Sequence, residues 1–509
     1  MTRTSRSAPP KASAMLESLR GLGYSTETAI ADTIDNSIAA SATKVDLTFH
    51  WDQSKSFVAI VDNGNGMTSN ELESAMHLGD RDPLQKRGSR DLGRFGLGMK
   101  TAAFSQGRRL TVASRTATSE VACFGWDLDI LKASADGGWH LLEGADEDSL
   151  GAMSLFPTSG TGTLVLWELL DRMVPPGSGE QDFLDTIDRV EKHLAMVFHR
   201  YLEGPRPRLR IVINDAQKPI QGWNPFAASV SAGHWSSPAE PLNSEHGTCV
   251  IRCHVLPHRD RLTKAEYEAA AGIAGWNAQQ GFYVYRNERL LVPGSWLGLG
   301  SPKPWVKDEI HRLARIQLDI SNASDADWKI DIRKSIAKPP HVLRQRLTFL
   351  ADDTRRKARA VYAHRGQIIR RPNEEPVFEA WESVVKDGVT RYRINRQHPA
   401  VRCVLDSPLS LEADVDMMLK LLETTIPVQR IWMDTTEDKS ISERSQIEGD
   451  EEETWQLMQA LYQSFLKQQY SPQRARERLL RTEPFQRFPQ LIAALPYESP
   501  QIEERSEST

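Results

Sequence analysis

The stretch "AIVDNGNGMT" ends an apolar run on Asp62 and follows it with Gly64, Gly66 and Met67. A carboxylate leaving the end of a buried strand is placed to accept a hydrogen bond from the exocyclic amine of a heterocyclic base. The two glycines allow tight turning and close approach to a ligand. Farther on, Gly93-Arg94-Phe95-Gly96-Leu97-Gly98-Met99-Lys100 opens a helix. Glycines at a helix start present unsatisfied backbone N–H groups at the positive end of the dipole, which makes a phosphate site. Lys100 in the first turn opposes that dipole, and a cation there is favoured only with an anion beside it. Thr163 follows Gly162 at the head of the run "GTLVLWE". Its hydroxyl can back up a contact made by Asp62, or Thr163 can be a β-branched strand residue and nothing more. Upstream, Asp32 and Asn36 stand four apart in "AIADTIDNSI", so on a helix they share a face. Ala29, Ile30, Thr33, Ile34 and Ile38 supply the apolar side, which leaves the acid–amide pair to face water or a cleft.

These groups require particular elements to carry them. The period of the residues from Glu27 onward predicts an amphipathic helix. Residues 44–50 and 56–61 read as two strands joined by a polar turn. The second strand runs straight into Asp62. A helix is expected near residues 70–77, then a polar Gly/Asp/Arg/Lys segment over 79–92 without apolar period, the kind of loop that closes over a ligand. The Gly93–Lys100 run then starts a helix reaching about Ser105. None of this is a P-loop or a Rossmann fingerprint, because GxxxxGK[ST] is missing and the glycines are in the wrong order.

The 509 residues suffice for roughly three domains, and 39% hydrophobic with 26% charged residues is the balance of a water-soluble globular chain. The longest apolar runs are far too short for a bilayer, and the basic start "MTRTSRSAPPKASA" has no apolar core behind it. Four cysteines suit a reducing compartment, so the expected location is cytoplasmic. Cys249, Cys253, His254 and His258 invite a zinc reading, but "TCVIRCHVLPH" alternates like a strand and its spacing matches no standard ligand set. A net charge of −5 decides nothing about nucleic acid, because a binding patch is local.

Taken in order, these four segments resemble the GHKL ATPases: gyrase-type topoisomerases, the large heat-shock chaperones, sensor histidine kinases and MutL. "AIADTIDNSI" is similar to their N box, "DNGNGM" to the G1 box, "GRFGLGMK" to the G2 box and "GT" to the G3 box. The likeness covers about residues 14–171 and is strongest to the MORC-type branch. It implies an α+β chain whose first part is a GHKL (Bergerat) α/β sandwich binding ATP with Mg2+. In the family the first N-box residue is usually Glu, the general base on the attacking water; here it is Asp32, one methylene shorter. A misplacement of about 1 Å can slow a reaction ~100-fold, so the resemblance implies slow hydrolysis. Glu27, more than a full turn earlier, is a poor stand-in. Asn36 is the implied Mg2+ ligand, and residues Asp62, Gly64, Gly66, Met67, Gly93 to Lys100 and Thr163 are the implied nucleotide contacts.

The implied domain plan is a basic tail over 1–13, the ATP-binding domain over 14–174, a transducer-like (ribosomal S5-like) α+β domain over 180–340, and a mixed, mostly helical region over 341–509. The Pro/Gly-rich "PPGSGEQD" marks the first break, and a helix with Leu184, Ile187, Val190, Leu194 and Phe198 on one stripe follows it. "RLRIVIND", "GTCVIRCHVLP", "GFYVYRNERLLV" and "ARIQLDIS" read as strands of the second domain. Transducers deliver a Lys to the γ-phosphate, and in "DWKIDIRKSIAKPP" the family position falls on Lys334, with Lys338 in reserve and Arg333 adjacent.

Residues 344–371 read as a basic helix, with nine Lys or Arg against Asp352 and Asp353, a candidate DNA-phosphate contact. Residues 434–453 read as an acidic linker, and Trp455, Met458, Tyr462 and Phe465 recur at helical spacing as core. The expected function is an ATP-driven switch: the lid closes, residues 1–19 help two protomers associate as a homodimer, and DNA or a partner complex is clamped. The MORC-type likeness implies a prokaryotic DNA-transaction or anti-phage setting with an effector protein encoded nearby. The rival readings are a non-hydrolysing ATP-binding scaffold and a chaperone-like ATPase. A histidine kinase is disfavoured because no acceptor His lies on a helix before the nucleotide domain.

Overall fold

The computed structural model describes residues 11–21, 23–78, 98–226, 234–244, 247–321, 324, 327–330, 337–363, 380–386, 389–398, 401–402, 405, 412–424, 426, 428, 431, 451–480, 485 and 488–496. The chain divides into two compact units, residues 1–369 and 370–509.

The first unit opens with helices α1 (Ala12–Arg20) and α2 (Thr26–Ala39), strands β1 (Lys44–His50) and β2 (Phe57–Asp62), and helices α3 (Ser69–Met76) and α4 (Gly98–Phe104). Strands β3 (Arg109–Arg115) and β4 (Ala122–Asp127), helix α5 (Leu128–Ala133), strand β5 (Leu142–Glu143), helix α6 (Leu150–Met153) and strand β6 (Gly162–Glu168) follow. Helices α7 (Glu180–Val197) and α8 (His199–Leu202) then lead to β7 (Arg210–Ile213). The seven strands form one sheet in the order β5-β4-β3-β6-β2-β1-β7, antiparallel except for the β1–β7 pair.

Strand alternation splits the packing between the two faces. Val58, Ile60, Leu110, Val112, Val165 and Trp167 point into a large core shared with α1, α2, α4 and α7. Ala59, Val61, Ala113, Leu164 and Leu166 meet a smaller cluster with Ala152 and Phe156. The result is a mixed α/β layer with the expected strands at nearly the expected places.

Several boundaries differ from the sequence reading. The run "RLRIVIND" does not join the second sheet: β7 pairs in parallel with β1, Lys44 opposite Arg210 and Val45 opposite Ile211. The helix α7 explains this, because it buries Phe183, Val190 and Leu194 in the same core as Ile30 and Ile34 and carries the chain back to the open edge of β1. On that stripe Phe183 is buried while Leu184 is exposed. At the start, α1 begins at Ala12 with Ala12 and Leu16 fully buried, so these residues belong to the first layer and not to a tail.

The second sheet is built from β8 (Trp235–Ser236), β9 (Glu240–Asn243), β10 (Thr248–Val255), β11 (Gly281–Arg286), β12 (Arg289–Ser295) and β13 (Ala314–Ile320), with α9 (Lys264–Ala271) between β10 and β11. Its order is β12-β11-β13-β10-β8, β9 also pairing with β10, and β11–β13 is its parallel pair. The helix α10 (His341–Ala363) packs on β10 and β13, which places it with this sheet rather than with the C-terminal region. The second unit has its own core of Met458, Tyr462, Ala475, Leu479, Phe485, Ile492 and Leu495, with Trp455 and Phe465 partly buried against it. Its helix Glu451–Lys467 begins inside the stretch read as a linker; residues 434–450 lie outside the described residues. No helix among the described residues is long and apolar enough to cross a membrane.

Candidate functional site

The end of β2 carries the acid that the sequence singled out. Asp62 is 8% exposed, and both of its carboxylate oxygens are held: Oδ1 accepts from the Gly64 N–H at 2.8 Å and Oδ2 from Ser37 Oγ at 2.8 Å. Burial pushes its carboxyl above the ordinary value, against hydrogen bonds from Gly64, Ser37 and Thr163 that pull it down. Each carboxylate oxygen has a second lone pair, so the group can accept one more hydrogen bond from an amine. Asp62 sits opposite Thr163 in the β2–β6 register.

Ser114, on β3, ties the two neighbouring loops together. Its Oγ accepts from the Met67 N–H at 2.9 Å, lies 3.1 Å from Gly162 O and 2.8 Å from Thr163 Oγ1. With one proton on each hydroxyl, the set closes if Thr163 donates to Ser114 and Ser114 to Gly162 O. Neither Ser114 nor Ser37 stands out in the sequence: a serine turned inward from a strand or a helix carries no local pattern. The glycines are required by backbone proximity. Gly66, at φ +69, would put a Cβ 2.0 Å from Arg115 O, and Gly162, at φ +150, would put one 2.0 Å from Asp62 O. Close approach here is to neighbouring strands.

On α2 the acid–amide face divides. Asn36 is exposed, as a ligand donor must be. Asp32 does not face water: it is 4% exposed, with Oδ2 accepting from Tyr24 OH at 3.0 Å and Oδ1 lying 3.4 Å from Arg289 Nη2. Asp35, 1% exposed, takes Arg289 Nε at 2.9–3.0 Å. A guanidinium from β12 thus stands between the two acids, which is why α2 can bury both.

Lys100 has a different local role from the one inferred. It is 2% exposed, and its Nζ donates to Ala75 O at 2.6 Å and His77 O at 2.8 Å, the carbonyls at the C-terminal end of α3. A cation at that end is favourable, so a lysine in the first turn of α4 does not require an anion. Met99 packs partly buried against the core. Gly93, Arg94, Phe95, Gly96 and Leu97, and likewise Arg333 and Lys334, lie outside the described residues. Lys338 is described and exposed, and its N–H donates to Trp328 O at 2.7 Å.

Several of the α10 cations expected to meet DNA are engaged within the fold. Arg346 pairs with Glu240 at 2.8 Å, Arg356 with Asp352 at 3.4 Å, and Lys357 with Asp353. Arg355 pairs with Asp308 and lies 4.8 and 4.9 Å from the ring centres of Trp296 and Trp305. Arg365, Arg370 and Arg371 lie outside the described residues. On β10, Cys249 and Cys253 alternate into the core as the strand pattern requires. Among the described residues no three His, Cys, Asp or Glu are grouped to hold a metal ion.

Residues 24–163 match the family described as Histidine kinase-, DNA gyrase B-, and HSP90-like ATPase. The matched span begins at Tyr24, the residue that holds Asp32, and ends at Thr163, the residue opposite Asp62. No curated protein matches the chain. The family match supports an ATP-binding domain of the GHKL superfamily over this span.

Proposed function

We propose that residues 24–163 bind ATP with magnesium and hydrolyse it slowly, and that the second sheet turns this cycle into a conformational switch. The observation that carries the reading is Asp62: a buried carboxylate at a strand end, held by Ser37 and the Gly64 N–H, with Thr163 across the sheet, inside the span that matches the family. In this role Asp62 accepts the adenine amine, and Ser114 keeps the Met67 and Gly162–Thr163 loops at fixed separation.

The exposed amide of Asn36 suits a hard cation that takes few protein ligands. Magnesium bound there would neutralise phosphate charge. Asp32 is the proposed general base, its short side chain accounting for slow turnover. Lys334 is the proposed γ-phosphate cation from the second domain, with Lys338 and Arg333 behind it; such a group stabilises charge on phosphoryl oxygens. Asp32→Asn should abolish turnover and leave ATP binding within about twofold, while Asp32→Glu, which restores the family's reach, should equal or exceed the wild-type rate. Equal turnover in wild type and Asp32→Asn would favour the non-hydrolysing scaffold.

ATP-dependent homodimerisation and a DNA or partner-complex client complete the proposal. Helix α1 buries Ala12, Leu16 and Arg20 in its own core, so self-association through residues 1–19 would use the face that α1 leaves exposed, Met15 among it, with the residues before it. DNA contact through 344–371 requires phosphates to replace carboxylates at Arg346, Arg356 and Lys357, whose side chains are 47%, 64% and 42% exposed. The prokaryotic anti-phage setting, with an effector encoded nearby, rests on the MORC-type likeness alone.

A further inference from the structure

We propose that Arg289 is a positioning residue for Asp32, so that the second sheet reaches the carboxylate of the reacting centre through the β11–β12 hairpin. This rests on the reading of Asp32 as general base.

The hairpin is made to present this side chain. Arg286 and Arg289 are its last paired residues, and the two residues between them, Asn287 and Glu288, both have positive φ, +47 and +66. That is the two-residue primed turn whose twist matches the flanking strands. Its tip and root are anchored on α8 and the segment after it. Tyr201 OH donates to Asn287 O at 2.5 Å, Arg208 pairs with Glu288, and His199 Nε2 lies 2.9 Å from Tyr285 OH. Arg200 pairs with Asp319 on β13 and covers the ring of Tyr285 at 3.5 Å. The first residue after the turn therefore leaves from a fixed point.

Arg289 is 2% exposed and uses all three guanidinium nitrogens: Nε to Asp35, Nη2 to Asp32, and Nη1 to Leu290 O at 3.0 Å. Two of the three directions thus end on carboxylates of α2, and the third locks the fork to its own strand. Tyr24 holds the other oxygen of Asp32, so the carboxylate is fixed from two sides by groups from separate elements. A planar fork does this and an ammonium does not. Burying two acids around one guanidinium is poor economy for stability alone, since apolar replacements of such groups are often neutral or better. The arrangement gives Asp32 a defined orientation, and in a short-armed base orientation sets the rate.

The test uses the full chain and compares wild type, Asp32→Asn, Asp35→Asn, Arg289→Lys and the double variant Arg289→Met/Asp35→Asn. The double variant removes one buried acid with the guanidinium, which limits the charge penalty that Arg289→Met alone would carry. ATP affinity, ATP turnover and the thermal midpoint are measured for each. The expected result is that Arg289→Lys and the double variant keep ATP affinity within about twofold of Asp35→Asn but lose turnover about ten- to hundredfold. Turnover equal to Asp35→Asn in the double variant, or to wild type in Arg289→Lys, would overturn the inference while leaving the ATPase reading intact. Wild-type turnover no faster than that of Asp32→Asn would instead remove the base assignment and the inference with it.

Discussion

Ser37 Oγ lies 2.8 Å from Asp62 Oδ2, joining the middle of α2 to the last residue of β2. One hydroxyl thereby fixes the helix that carries Asp32 and Asn36 against the strand end that carries the proposed base contact. The same carboxylate is buried, which makes it a sensor of pH as well as an acceptor.

Folded Asp62 binds its proton more tightly than it does in the unfolded chain, because burial raises it above 3.8. Stability attached to this group is therefore greatest at low pH, falls as pH rises from 3.8 through the raised value, and stays at the lower level beyond it. Asp62→Asn removes the titration. In urea unfolding over the acidic range, the difference in stability should move in favour of the variant as pH rises, and then level off. A difference that is flat, or that moves the other way, would contradict the burial argument.

Ser114→Ala should act on two loops at once. The Met67 N–H loses its acceptor, and Gly162 O and Thr163 Oγ1 lose a partner. An unsatisfied buried group costs about 1–3 kcal/mol, so the urea midpoint should fall accordingly, and ATP affinity with it. Loss of stability with unchanged ATP affinity would place Ser114 in the fold and outside the site.

For α10, the prediction concerns salt. If Arg346, Arg356 and Lys357 exchange carboxylates for phosphates, binding of a labelled duplex should weaken steeply with salt. Alanine at these three positions should flatten the log–log slope by roughly 0.9 per lost contact. An unchanged slope would leave these pairs as purely internal and turn the client question toward protein.

The part of the proposed site at the end of β2 could be read from the sequence because its signals are local. An acid ending an apolar run, glycines just after it and a Gly-Thr opening the strand "TLVLW" mark Asp62 and Thr163 each on its own strand; that the two lie opposite each other is seen only in the structure. What could not be read is what other parts of the chain bring. Asp35 meets Arg289 across 254 positions, and no periodicity links a helix to a hairpin tip so far away. For that reason the spacing on α2 points Asp32 toward water or a cleft, whereas the structure buries it. Lys100 is similar: an oddity on its own helix is resolved by the carbonyls ending α3. Strand composition identifies β7 as a strand but not its partner; the path of α7 decides that it pairs with β1.

Calorimetric titration of ATP and magnesium into wild type and Asp62→Asn tests the proposed site most directly. Replacing the acceptor oxygen by an amide donor sets a donor against adenine's amine, a loss of roughly 1–3 kcal/mol, so affinity should fall about ten- to hundredfold. ATP affinity unchanged by the substitution, or no ATP binding by the wild type, would contradict the proposed site.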